Sequence, residues 1–486
     1  MQKSIGTLLI LSVLIFSGCN PPKDDQATVF QKIHDEVTAN SKAYETLGDA
    51  SAKIGHRLTG SPQGAQAEEY TYNLLKGYGM DVRYHPFEVE SWSRGDINVQ
   101  IGAKGKLENV PAVTLAHSPV KASISGEIVD FGNGLEADYA AKPNAVKGKI
   151  ALVYIGILPG SPEGTSNLHR SEKTALAIQN GAKGIIIINQ VDGGVLLTGT
   201  ASVTGSLITI PAVCIGKENG MALKDVLKTS KQYGSVDMTN QSGLINARNV
   251  IATIKGSEFP DEKIIVGGHL DSWDLATGAI DNGIGSFAVL DMARTFNALN
   301  LKPRRTVQFV MFMGEEEGLL GSRKLVDEAI ENGTIDQIKY VMNQDMSGNP
   351  RGFNAGGRPA AEAFFKNVGE QIQAIDPDFE NAVSNGAGLH SDHQPFMLQG
   401  IPYTSANSNL DRAIYGCYHS DCDAFNLVNK KHMETNVSRS SMMLYALADA
   451  ATLPAKKLND AETKTFLEGH DLKLKLQIGG DWRWED

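Results

Sequence analysis

Residues 263–300 read KIIVGGHLDSWDLATGAIDNGIGSFAVLDMARTFNALN, and residues 305–318 continue as RTVQFVMFMGEEEG. The run Lys263-Ile264-Ile265-Val266-Gly267 has the apolar density of a buried strand. Residues 282–300 then read as a helix, 306–313 as a second strand, 322–331 as a helix and 338–342 as a third strand. Strands that alternate with helices predict an α/β unit, a mixed, mostly parallel sheet flanked by helices.

The polar residues fall where such a sheet binds its ligands, just beyond the carboxyl ends of the strands. The first strand runs into His269-Leu270-Asp271, the second into Glu315-Glu316-Glu317 and the third into Asp345, while the intervening helix opens with Asp281-Asn282-Gly283. Taken singly, each has an ordinary explanation, since an Asp before Asn-Gly caps a helix and a Glu run at a strand end is solvated. Taken together they do not, because ionised groups gathered at one edge repel unless a cation neutralises them. Imidazole mixed with carboxylate oxygen suits zinc, whereas an all-oxygen set favours magnesium or calcium. A second histidine is expected to complete the set, and the stretch from Tyr415 to Asp423 offers His419.

The rest of the chain bounds this reading. Its 486 residues exceed the about 150 of one domain and predict two or three folded units. Lys and Arg number 45 against 56 Asp and Glu, and the resulting charge of −11 opposes binding to nucleic-acid phosphates. Four cysteines exclude a disulfide-built scaffold. Residues 1–18 carry one cation at Lys3, an apolar stretch and small residues before Cys19, which is the pattern of an export signal. Phe16-Ser17-Gly18-Cys19 resembles a bacterial lipoprotein box, so residues 19–30 are expected to be a tether lipidated at Cys19, outside the cytoplasm, with no other membrane attachment. Ser61-Pro62 followed by Ala67, Tyr70, Leu74 and Tyr78 predicts an amphipathic helix. Residues 111–245 change texture to short strand-like runs between Gly-rich turns, with one helix near 171–180, and read as a separate β-rich unit between the halves 31–110 and 246–455. Residues 456–486 read as a charged surface extension whose Trp482 and Trp484 dock on the body or on a partner.

At this point a resemblance becomes specific. His269-Leu270-Asp271-Ser272, Gly278-Ala279-Ile280-Asp281-Asn282, Gly314-Glu315-Glu316-Glu317-Gly318, Asp345-Met346, Ser391-Asp392-His393 and Tyr418-His419-Ser420 with Asp423 follow, in order, the motifs of M28-family zinc metallopeptidases. His56-Arg57-Leu58-Thr59-Gly60-Ser61-Pro62 and the β-rich insertion are similar to the branch that carries a protease-associated domain. The resemblance implies a zinc aminopeptidase-like fold and two Zn²⁺ ions bridged by Asp281, one also held by His269 and Asp345, the other by Glu316 and His419. It implies Glu315 as general base, Asp271 as the residue that orients the His269 imidazole, a cis peptide after Asp281, a short peptide as substrate and a homodimer as partner state. The branch favours a dipeptidase acting on free termini, and the wider family allows an aminopeptidase. A glutaminyl-cyclase-like acyltransferase with one zinc, or a non-catalytic binding protein on the same scaffold, are the rival readings. Cys417 and Cys422 flank His419 and form either a short bridge, two buried thiols or a further metal-binding feature, whereas Cys214 reads as a core residue. His390 and His393 read as cleft or purely structural residues.

Overall fold

The computed structural model describes residues 24–485, so the export signal and the anchor expected at Cys19 lie outside the described residues. A helix, Gln26–Asn40, begins inside the expected tether, because Asp25 caps it by accepting from the Thr28 amide while Val29, Phe30, Ile33 and Val37 bury one face. Among the described residues no helix is long and apolar enough to cross a membrane.

Among the described residues, thirteen strands form one hydrogen-bonded sheet. In chain order they are β1 (Asp81–Ala103), β2 (Lys106–Asn109), β3 (Ala112–Thr114), β4 (Lys121–Asp130), β5 (Ile150–Tyr154), β6 (Gly184–Ile188) and β7 (Ala212–Ile215), then β8 (Gln232–Ile254), β9 (Phe259–His269), β10 (Arg305–Phe312), β11 (Ile338–Asn343), β12 (Pro350–Asn354) and β13 (Tyr403–Ser408). The main path runs β12-β13-β11-β9-β10-β8-β4-β5-β6-β7-β3. One parallel set is β10, β9, β11 and β13, and a second is β4, β5, β6 and β7. The antiparallel pair β1 and β8 joins them. β8 pairs with β4 through residues 232–239 and with β10 through 250–254. The insertion therefore shares its backbone ladder with the larger unit.

β5, β6, β7, β10, β11 and the second half of β9 are buried almost throughout, which is why they read as continuous apolar runs, whereas β4 alternates between exposed and half-buried positions. The larger core gathers Phe287, Val289 and Phe296 of helix Ile284–Ala298 with Phe309, Tyr340 and Met443. The insertion has its own, built from Ile185, Ile187, Val153 and Phe131. The C-terminal extension docks onto the body, one of the two partners expected for it, and is folded as helices. Helices Asp460–Gly469 and Lys473–Gly479 place Leu467, Leu472 and Leu476 in a third apolar cluster, with Trp482 and Trp484 packed on it.

His117, in the insertion, is fully buried, and among the described residues its ring has one hydrogen-bond partner, Thr200 Oγ1 at 2.8 Å from Nδ1. Burial lowers its pKa to about 4, below the about 6.5 of an unfolded chain. The unfolded chain then binds more protons between those values, so stability is full above about pH 6.5 and falls by up to about 3 kcal/mol as the pH drops to 4. His117→Asn is expected to flatten the pH dependence of the urea midpoint across this window. An unchanged dependence would show that His117 is not a source of the acid sensitivity.

Candidate active site

Three strands of the first parallel set end on one edge and deliver the predicted residues to it. His269 is the last residue of β9, Glu315 and Glu316 follow β10, and Asp345 follows β11. Asp281 lies in the turn Ala279–Gly283 that opens helix Ile284–Ala298, and its peptide bond to Asn282 is cis. His419 comes from a loop whose cysteines, Cys417 and Cys422, form a disulfide. Cys214 is a buried free thiol in β7.

Asp281 presents one carboxylate oxygen to each histidine. Its Oδ1 lies 3.2 Å from His269 Nε2 and its Oδ2 lies 3.0 Å from His419 Nε2. Asp345 Oδ1 is 3.5 Å from His269 Nε2, and Glu316 Oε2 is 3.0 Å from His419 Nε2. Donor atoms around one tetrahedral zinc, with bonds of about 2.0–2.1 Å, sit about 3.3 Å from each other. The spacing therefore fits ligands turned toward shared cations as well as it fits hydrogen bonds. Among the described residues, His269, Asp281 and Glu316 form one set whose donor atoms lie within 4.8 Å of one another, and His269, Glu315 and Asp345 form a second.

Electrostatics point the same way. Burial pushes the Glu316 carboxyl well above its ordinary range, and the neighbouring Asp281 charge adds to the shift. Burial also raises Glu315 well above its range, reinforced by Asp345 and Glu316. Burial acts on Asp281 too, but the two imidazoles outweigh it and hold its pKa down. The histidines diverge. Burial lowers His419 to about 4 with help from the Arg170 cation, whereas at His269 the burial effect is overcome by Glu315, Asp281 and Asp345 and the pKa rises. A neutral His419 is the form that can donate a lone pair to a metal.

Asp271 differs from its expected part. Its carboxylate is 3.7 Å from His269 Nδ1, and the atom within hydrogen-bond range of that nitrogen is the backbone carbonyl of Asp271, at 3.1 Å. The carboxylate instead accepts from the backbone amides of Glu315 and Glu316, at 3.3 and 3.2 Å, and so shapes the turn that carries both glutamates. Burial explains the exchange. An Asp this deep needs donors, and two unpaired amides follow β10 next to it.

Several supporting residues carry no signal that names their part. The Asp423 carboxylate accepts from the amides of Ile280 and Asp281, at 2.7 and 2.9 Å, and fixes the Asp281 turn. Arg57 is fully buried and donates to the backbone carbonyls of Leu270, Thr277 and Gly278, tying together the loop between His269 and Asp281. Ser391 Oγ donates to Asp345 Oδ2 at 2.7 Å. Arg57, Ser391 and Asp423 all lie inside quoted motifs, which was the only available hint. His393 is buried against the Tyr403 ring, 4.1 Å between centroids, and is structural. His390 stacks on His169 of the insertion at 4.7 Å and lines the cleft.

The cleft over this cluster has a volume of about 230 Å³. Its walls come from three parts of the chain: the strand-end loops, His169, Arg170 and Glu172 from the insertion, and Lys475 and Asp481 from the C-terminal segment. The insertion also positions the His419 loop directly, since the Thr198 amide donates to the His419 carbonyl at 2.8 Å.

Comparison with known proteins agrees with this architecture. Residues 249–443 match Peptidase family M28, and residues 124–223 match the PA domain. Carboxypeptidase Q of Xenopus laevis is 26% identical over 423 residues, covering 85% of this chain and 87% of that protein. The structure of a peptidase M28 precursor from Shewanella amazonensis aligns with a TM-score of 0.75 at 23% identity, covering 89% of this chain and 99% of the other. BSAP, a zinc aminopeptidase from Bacillus subtilis, aligns with a TM-score of 0.62 at 22% identity, covering 86% and 97%. The first match spans the three strand ends, the Asp281 turn and the His419 loop together, so the candidate site lies wholly within the segment that matches peptidase family M28, with the PA domain match ahead of it.

Proposed function

We propose that the protein is a zinc-dependent exopeptidase that hydrolyses dipeptides or short peptides, using two zinc ions that share Asp281. The observation that carries this is the two-sided carboxylate of Asp281, one oxygen facing His269 and the other His419. His269 and Asp345 would complete one donor set, and Glu316 and His419 the other. Zinc held there would supply Lewis acidity toward the scissile carbonyl and lower the pKa of a bound water. Glu315 would take a proton from the attacking water and pass it to the leaving amine, while Asp271 and Asp423 hold the turns that aim Glu315, Glu316 and Asp281. The walls exclude bulk water and limit length. A cavity of about 230 Å³ falls below the about 300–1,000 Å³ of drug-sized sites, which supports a substrate of about two residues. Lipidation at Cys19 would fasten this activity to a membrane surface, and Cys19→Ser is expected to move the protein from the membrane fraction to the soluble one.

Free dipeptides, longer peptides and end-blocked peptides, each assayed with and without a chelator, test the reading together with metal analysis. Near two zinc equivalents per chain and chelator-sensitive cleavage of short free peptides are expected. One tightly held equivalent with peptide-cyclising activity would overturn the reading in favour of a cyclase.

A further inference from the structure

We infer that Lys475, on the C-terminal helix Lys473–Gly479, receives the free α-carboxylate of the substrate. This makes the C-terminal segment a specificity element that selects free acids over end-blocked peptides. The inference rests on the exopeptidase reading above and names the terminus which that site recognises.

The argument begins with the charges that line the cleft. Six are carboxylates, Glu172, Asp281, Glu315, Glu316, Asp345 and Asp481, and three are basic side chains, Arg170, Arg323 and Lys475. Arg323 is committed, because its two terminal nitrogens donate to the two oxygens of Asp481 at 2.6 and 2.7 Å and its Nε donates to the Gly318 carbonyl at 3.0 Å. Arg170 is buried in the insertion, where it faces Tyr418 and the His419 end of the cluster. Lys475 differs from both. It is half-buried, and among the described residues it makes no hydrogen bond or ion pair.

Its place is nevertheless fixed. The next residue, Leu476, is 1% exposed in the apolar cluster beneath β10 and β11, and Ile478 packs on the core of the insertion. Asp481 fastens the following turn to Arg323 and to Gln394, whose Nε2 donates to it at 2.9 Å. Gln394 in turn accepts from the amide of His390 at 2.8 Å, so the segment is clamped to the loop that borders Asp345. An unpaired ammonium held over a cleft otherwise rich in carboxylates is a receptor for an anion. A peptide brings one anion at a fixed distance from its scissile bond, its C-terminal carboxylate. Arg323 is held by Asp481 and Arg170 faces the His419 end of the cluster, which leaves Lys475 to receive that group, and a charge-assisted pair inside a cleft is strong enough to decide between acid and amide.

The test compares Ala-Ala with Ala-Ala-amide on the zinc-loaded protein. Lys475→Met is expected to lower the ratio of kcat/KM for the acid over the amide by about tenfold or more, carried by KM. Lys475→Arg is expected to restore most of the ratio, and Lys475→Glu to reverse the preference. As a readout free of chemistry, the affinity of Ala-Ala for zinc-loaded Glu315→Gln protein is expected to fall by the same factor when Lys475→Met is added. If the parent protein cleaves the acid well and Lys475→Met leaves the ratio unchanged, the assignment of Lys475 is overturned while the peptidase reading stands. If the parent cleaves neither peptide, the peptidase reading fails and this inference fails with it.

Discussion

Glu315→Gln retains its zinc and loses at least about 100-fold in kcat against a dipeptide, the scale of a missing acid–base group. The expectation rests on how the turn divides its two glutamates. Glu316 turns toward His419, 3.0 Å away, and is buried. Glu315 turns toward the other histidine but stops 4.0 Å from His269 Nε2, farther than Asp281 or Asp345 from the same nitrogen. Burial first, then the charges of Asp345, Glu316 and Asp392, raise its proton affinity well above that of an ordinary glutamate. A carboxylate of that kind accepts a proton and keeps it long enough to deliver it. Gln has the same shape and cannot do either. The backbone amide that Asp271 holds is untouched by the substitution, so the turn and the Glu316 ligand stay in place. Metal content and steady-state rates measured on the same sample separate the outcomes. Turnover within tenfold of the parent would remove Glu315 from the proton path. Loss of a zinc equivalent would make Glu315 a ligand, as the set it forms with His269 and Asp345 allows.

Most residues that gather at the candidate site were legible because two regularities locate them. Parallel strands read as uninterrupted apolar runs, and the residues that end such runs face the binding edge. His269, Glu315, Glu316 and Asp345 follow from that alone. His419 lies in a loop, where no periodicity operates, and only motif order singled it out. The expected role of Asp271 was misplaced by one atom group. Sequence spacing puts its residue beside His269, but the donors it meets are the Glu315 and Glu316 amides, more than forty positions away. The helices of the C-terminal segment were missed for a different reason. Leu472, Leu474 and Leu476 alternate with charged residues, which fits a strand edge as well as a solvated tail. The same spacing places Leu472 and Leu476 four apart on one helical face, and docking chooses the helix, burying those two while Leu474 stays 43% exposed. The boundary between the insertion and the larger unit has no turn to mark it, because β1 and β8 run through both.

Removing zinc with a chelator is expected to abolish hydrolysis and to lower the melting temperature at pH 7.5, by an amount that counts the ions. The cluster holds four carboxylates, Asp281, Glu315, Glu316 and Asp345, against two imidazoles. Without cations the folded chain relieves this by holding protons, since burial and mutual repulsion raise Glu315 and Glu316 above their unfolded values. A folded pKa raised above the unfolded one means that the metal-free fold is most stable below about pH 4.5 and loses stability as the pH climbs toward the raised value. Zinc removes that loss, so its stabilising effect is small near pH 5 and large at pH 7.5. With free zinc at about 1,000 times its Kd, each site contributes about 4 kcal/mol. Unfolding entropy of about 2.1 cal/mol/K per residue gives about 1 kcal/mol/K for a chain of 486 residues. The melting temperature should therefore fall by about 4 °C for one ion and about 8 °C for two. Thermal melts of chelated and zinc-restored protein at pH 5 and 7.5 read both the size and the pH dependence. A shift of equal size at the two pH values would mean that the stabilising metal sits elsewhere, and no shift at either would leave the Asp281 cluster without a metal to neutralise it.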